Sequence, residues 1–118
     1  MSIPVQITYH GLEPTEAINS RINEEVEKLQ RFYDHIISMR VTVEEPHAHH
    51  HKGKLYAVRI DVSVPGREIV VSRDHHDKHQ YEDLYVAIRD AFAAARRQLE
   101  DHARKQQGKV KNHRTEML

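Results

Sequence analysis

Cysteine and tryptophan are both missing from this chain of 118 residues. Without cysteine there is no disulfide framework, thiolate zinc site, iron–sulfur cluster or cysteine nucleophile. The aromatics are five Tyr and two Phe, and no strand-like segment carries an aromatic doublet for stacking bases, so binding in the manner of an RNA-recognition motif is not expected. Glycine and proline number four each. The four Gly are scattered as turn residues, and neither a Gly-rich phosphate loop nor a nucleophile elbow is present. No apolar run approaches the roughly 20 residues of a membrane span. Met1-Ser2-Ile3-Pro4 lacks the basic start and apolar stretch of a signal peptide. A cytoplasmic protein with no membrane partner is expected. Net charge is missing too, with 18 Lys+Arg against 18 Asp+Glu. Taken as a whole-chain total, that balance opposes a nucleic-acid partner.

What remains is enough for one domain. A chain of 13.9 kDa hides roughly two thirds of its unfolded surface on folding, so it needs no covalent or metal staple. Mean hydropathy is low at −0.77, yet the apolar residues are periodic. Val5, Ile7 and Tyr9 alternate with polar residues over 4–10, which predicts a strand. Ile18, Ile22, Val26, Leu29 and Tyr33 recur at helical spacing, which predicts a helix over 15–33 with Thr15 as N-cap. Ile37, Met39, Val41 and Val43 give a half-buried strand ended by Pro46. Residues 56–64 alternate most clearly, Pro65-Gly66 makes a turn, and 67–73 is a further strand. Leu84, Ile88, Ala91, Phe92, Ala95 and Leu99 stripe a long helix over 81–107, with Glu82 and Asp83 in its first turn and Gly108 as its stop. Residues 108–118 show no apolar periodicity and are expected to form a basic, flexible C-terminal tail.

The order β-α-β-β-β-α predicts an α+β two-layer sandwich, a four-stranded sheet with two helices on one face. The sheet is expected to be mostly antiparallel, with a parallel pairing of the first two strands as the alternative.

Resolved by position, the charge is not neutral. Residues 1–46 carry 4 basic and 8 acidic side chains, whereas residues 96–114 carry 7 basic and 2 acidic. A basic stripe on a helix can follow a phosphate backbone. On the long helix Arg89, Arg96, Arg97 and Arg104 share a flank, continued by Lys105, Lys109 and Lys111. On the first helix Arg21, Lys28 and Arg31 share one, with Glu24–Lys28 and Glu27–Arg31 spaced for i,i+4 ion pairs. Few aromatics and many cations favour phosphate and shape contacts to folded RNA.

Two histidine clusters complete the inventory. His47, His49, His50 and His51 precede Lys52 and Lys54 with no acid among them. The segment reads as an RNA contact or as a solvated loop. A metal site is the lesser reading, because adjacent His on one loop seldom converge on one ion. In the second cluster His75 and His79 lie four apart beside Asp74 and Asp77. These six His are the metal-site candidates. Ser20, Ser38, Ser63 and Ser72 sit in no catalytic motif. The chain is therefore read as no enzyme, with no cofactor and no small-molecule substrate.

Glu82-Asp83-Leu84-Tyr85-Val86-Ala87-Ile88 resembles the run that opens the last helix of the ribosome hibernation-promoting factors, a family that includes the ribosome-associated inhibitor. Arg97-Gln98-Leu99 is similar to a further stretch of that helix, and Thr15-Glu16-Ala17-Ile18 and Lys28-Leu29-Gln30-Arg31-Phe32 resemble the first helix. The likeness spans about residues 5–105. It implies a fold related to the double-stranded-RNA-binding domain. It also implies binding of the small ribosomal subunit or the 70S ribosome, through 16S rRNA in the mRNA and tRNA channel, and translational silencing under stress or in stationary phase. Lys28, Arg31 and Arg97 match basic positions of the family. Long members carry an additional domain that pairs two ribosomes; no counterpart follows residue 107 here, so pairing by that route is not expected. A monomer or weak dimer is expected. The alternatives are a metal-binding protein built on the His loops and a generic binder of structured RNA.

Overall fold

Thr15 sets the start of the first helix, α1 (Glu16–Phe32): its backbone is extended and its Oγ1 accepts a hydrogen bond from the Ile18 amide at 3.1 Å. The helix ends at Tyr33, whose amide reaches the Leu29 carbonyl. Ile18, Ile22, Val26 and Leu29 form its buried stripe. In this computed structural model, residues 3–45, 56–73 and 83–117 are described, with 73 and 107–117 as backbone only. The other elements are β1 (Val5–His10), β2 (Ser38–Glu44), β3 (Ala57–Val64), β4 (Arg67–Arg73) and α2 (Leu84–Met117).

The four strands make one sheet in the order β1-β2-β3-β4. β1 runs parallel to β2, and the other two pairings are antiparallel. The expected α+β sandwich is therefore present, with the parallel alternative realised at its first pair. The β3–β4 hairpin closes through Pro65-Gly66, where Gly66 has a φ of 79°. That value suits the third position of a type II turn, and a side chain there would be strained. Met39, Val41, Val43, Val58, Ile60, Val62, Val64, Ile69 and Val71 bury one face of the sheet against α1 and α2. Each such side chain contributes about 1.5–3 kcal/mol when fully removed from water.

Four local expectations need correction. Ile37 precedes β2 and stays 55% exposed, while Ile36 is buried at 6%; the strand pleat begins only at Ser38, so the alternation does not extend back to Ile37. α2 opens at Leu84, later than residue 81, and no acid lies in its first turn. Asp83 instead caps it, its Oδ1 accepting from the Tyr85 and Val86 amides at 2.9 and 3.4 Å. The helix also continues past Gly108 to Met117. One interior glycine costs a helix only about 1 kcal/mol relative to Ala, and Gln106, Gln107, Lys109 and Lys111 are good helix formers. Finally, the apolar stripe of α2 extends one step beyond Leu99 to His102, which is buried at 4% with its ring 6.3 Å from Tyr33.

Candidate nucleic-acid interface

α1 and α2 pack side by side on the sheet, and their buried stripes leave one flank of each helix facing the other. Arg21 and Lys28 are seven residues apart on α1, and Arg89 and Arg96 are seven apart on α2. Seven residues is close to two helical turns, so each pair stacks along its own flank. The four cations line one cleft of about 320 Å³ with Glu25, Leu29, Phe92 and Ala93. Leu29 and Phe92 close its floor, each 3% exposed.

Local contacts hold these cations in place. Glu25 lies between Arg21 and Lys28, 3.8 Å from the Arg21 Nε and 3.5 Å from the Lys28 Nζ. The expected Glu24–Lys28 pair is thus replaced by Glu25–Lys28 at i,i+3, because Glu25 sits lower in the cleft. Arg31 does not pair with the Glu27 carboxylate either; its Nε donates to the Glu27 carbonyl at 3.5 Å. Arg89 pairs with its neighbour Asp90 at 3.3 Å. The Arg96 guanidinium lies 4.3 Å over the ring of Phe32, an exposed aromatic at the end of α1. The Arg89–Asp90 pair is exposed on both sides and weak, about 0–1 kcal/mol, so Arg89 can exchange it for phosphate. The lining carries four basic side chains against one carboxylate.

The cleft accounts for only part of the expected basic set. Lys28, Arg89 and Arg96 line it; Arg31, Arg97, Arg104 and Lys105 are exposed outside it. Arg104 is paired with Glu100. Arg97 is set 100° round the helix from Arg96, which turns it to a second face of α2. Lys109 and Lys111 lie on α2, with their side chains outside the description. Lys52, Lys54, His47, His49, His50, His51, His75 and His79 lie outside the described residues. Arg21 and Phe32 were not among the expected site residues. The seven-residue spacing of Arg21 and Lys28 was the available signal for the first, whereas only the contact with Arg96 reveals the second.

A second depression of about 360 Å³ lies on the open face of the sheet, lined by Gln6, Ser38, Arg40, Asp61, Ser63 and Glu68 among others. Two carboxylates against one guanidinium make it a poor seat for a polyanion. Asp61 is already held by Arg59 at 3.3 Å.

Residues 5–107 match the family described as sigma 54 modulation protein / S30EA ribosomal protein. The chain belongs to this family. It is also 34% identical over 104 residues to a ribosome hibernation promoting factor of Azotobacter vinelandii, covering 86% of this chain and 84% of that one. Among solved structures, a ribosomal subunit interface protein from Coxiella burnetii aligns with a TM-score of 0.69 at 16% identity, over 86% of this chain and 98% of that one. The N-terminal domain of Thermus thermophilus Protein Y aligns with a TM-score of 0.66 at 22% identity, over 86% and 99%. These two likenesses place the fold. The family assignment agrees with the resemblance carried by the two helix motifs. Within this member of the family, the cleft between those two helices carries four basic side chains against one carboxylate.

Proposed function

We propose that this chain binds the small ribosomal subunit, free or within the 70S particle, and silences translation during stress or stationary phase. The α1–α2 cleft carries the reading: four cations line one concave seat between the helices. In this reading the cleft contacts 16S rRNA in the mRNA and tRNA channel. Arg31, Arg97, Arg104 and Lys105 add phosphate contacts around it. Lys52, Lys54, Lys109 and Lys111 are assigned the same role from sequence alone. Phosphate contacts fix position and supply affinity without a catalytic group, which fits a binding protein rather than an enzyme. Among the described residues no helix is long and apolar enough to cross a membrane. The reading places the protein in the cytoplasm, as a monomer or weak dimer, with residues 1–107 as the binding domain and 108–118 as a basic extension.

Cosedimentation with ribosomal particles tests this reading. Folded protein is expected in the particle fractions at low salt and in the supernatant as salt rises. Competition with unrelated duplex RNA separates a ribosome-specific binder from a general one, because only the general binder is displaced at equal phosphate concentration.

A further inference from the structure

The cleft has a feature that phosphate binding does not require. Its floor is apolar, made by Leu29 and Phe92, and Ala93 stands on its rim between Arg89 and Arg96. These three residues form one stripe of α2 at spacings of four and three, so the alanine is a gap between two guanidinium-bearing side chains. A duplex backbone touching the rim would leave that floor unused. The volume of about 320 Å³ lies at the small end of the roughly 300–1,000 Å³ typical of small-ligand sites. The cleft also holds polar groups suited to the edge of a base. The Arg21 Nε is buried without a hydrogen-bond partner, and the Glu25 carboxylate, with its side chain 12% exposed, stands beside it as an acceptor.

We propose that the α1–α2 cleft takes a single unpaired nucleotide of RNA. The base enters through the Ala93 gap beside the Arg96 guanidinium, above the nearly closed floor of Leu29 and Phe92. Its polar edge meets the exposed part of the Arg21 guanidinium and the Glu25 carboxylate. The flanking phosphates lie on Arg89, Arg96 and Lys28. Arg96, packed over Phe32, holds a guanidinium plane at the end of the cleft for stacking. This inference rests on the RNA-binding reading above and adds that the cleft selects unpaired over paired RNA.

The test compares a short single-stranded RNA with a blunt duplex of the same length, bound to the full chain by fluorescence anisotropy. The variant is Ala93→Leu, which fills the gap, keeps every charge and suits an exposed helix position. Ala93→Ser is the size control. The wild type and Ala93→Ser are expected to prefer the single strand. Ala93→Leu is expected to lose about 5–150-fold in single-strand affinity, the range for one stacked base, with duplex affinity and salt dependence unchanged. The proposal is overturned if Ala93→Leu binds the single strand as tightly as the wild type, or loses both probes equally. If the wild type binds neither probe at low salt, the cleft takes no free unpaired nucleotide and the proposal is overturned; the ribosome-binding reading fails separately, if folded protein does not cosediment with ribosomal particles.

Discussion

Replacing Arg89 and Arg96 together by Gln removes two of the four cleft cations without introducing a repulsive charge. Each cation that neutralises a phosphate releases counterions, which gives a slope of log K against log salt of roughly −0.7 per contact on single strands. Losing two contacts therefore flattens the slope by about 1.4. Between 50 and 200 mM salt, a fourfold change, wild-type affinity for RNA should fall about sevenfold further than that of the double variant, on that same slope. The fold should survive. Arg89 loses an exposed pair with Asp90, and Arg96 loses one cation–π contact with Phe32, worth about 0.5–1 kcal/mol at an exposed site. Neither loss approaches the 5–15 kcal/mol of a typical domain. The assay is equilibrium binding to small ribosomal subunits across a salt series, with circular dichroism to confirm folding. Arg67→Gln, at the exposed β3–β4 turn, is the control. An unchanged slope in Arg89→Gln/Arg96→Gln, or an equal flattening in Arg67→Gln, would refute the assignment of the cleft.

Further outcomes follow from the scaffold. Asp83→Ala removes the cap of α2 and should cost about 1 kcal/mol, seen as a melting temperature lower by about 3–6 °C; Asp83→Asn should restore it. Tyr9 donates its hydroxyl to the Asn19 Oδ1, and burial raises its pKa above 10.0. Above that pH the folded state binds more protons than the unfolded one. The contribution of Tyr9 to stability is therefore whole below pH 10 and declines as pH rises through it. Urea midpoints at pH 9 and pH 11 should fall more for the wild type than for Tyr9→Phe; equal falls would contradict this.

Most of the fold was legible because its signals are local. The alternation over residues 57–64 and the stripe from Leu84 to Leu99 each encode a buried face, and Thr15 marks its own helix start. The misses are those where local and tertiary terms compete. Gly108 is a good stop only where the neighbouring residues do not favour continuing the helix. Ile36 and Ile37 are chemically equal, so only the path into β2 decides which is buried. His102 occupies an apolar position that residue type alone would assign to a hydrophobe. The site was half legible. Helical spacing put Arg89 and Arg96 on one flank and Arg21 and Lys28 on another. That the two flanks meet is a property of helix packing, and so is the separation of Arg97 and Arg104 from the cleft. The neutral total of 18 against 18 gave no hint of it, because a sum over the chain does not record where each charge sits.

The most direct measurement is cosedimentation of the full chain with purified 30S and 70S particles at low salt, beside Arg89→Gln/Arg96→Gln. The wild type should travel with the particles and be released as salt rises, while the double variant stays largely in the supernatant. Folded wild-type protein that remains in the supernatant at low salt would contradict the central claim that this chain is a ribosome-binding factor acting through the α1–α2 cleft.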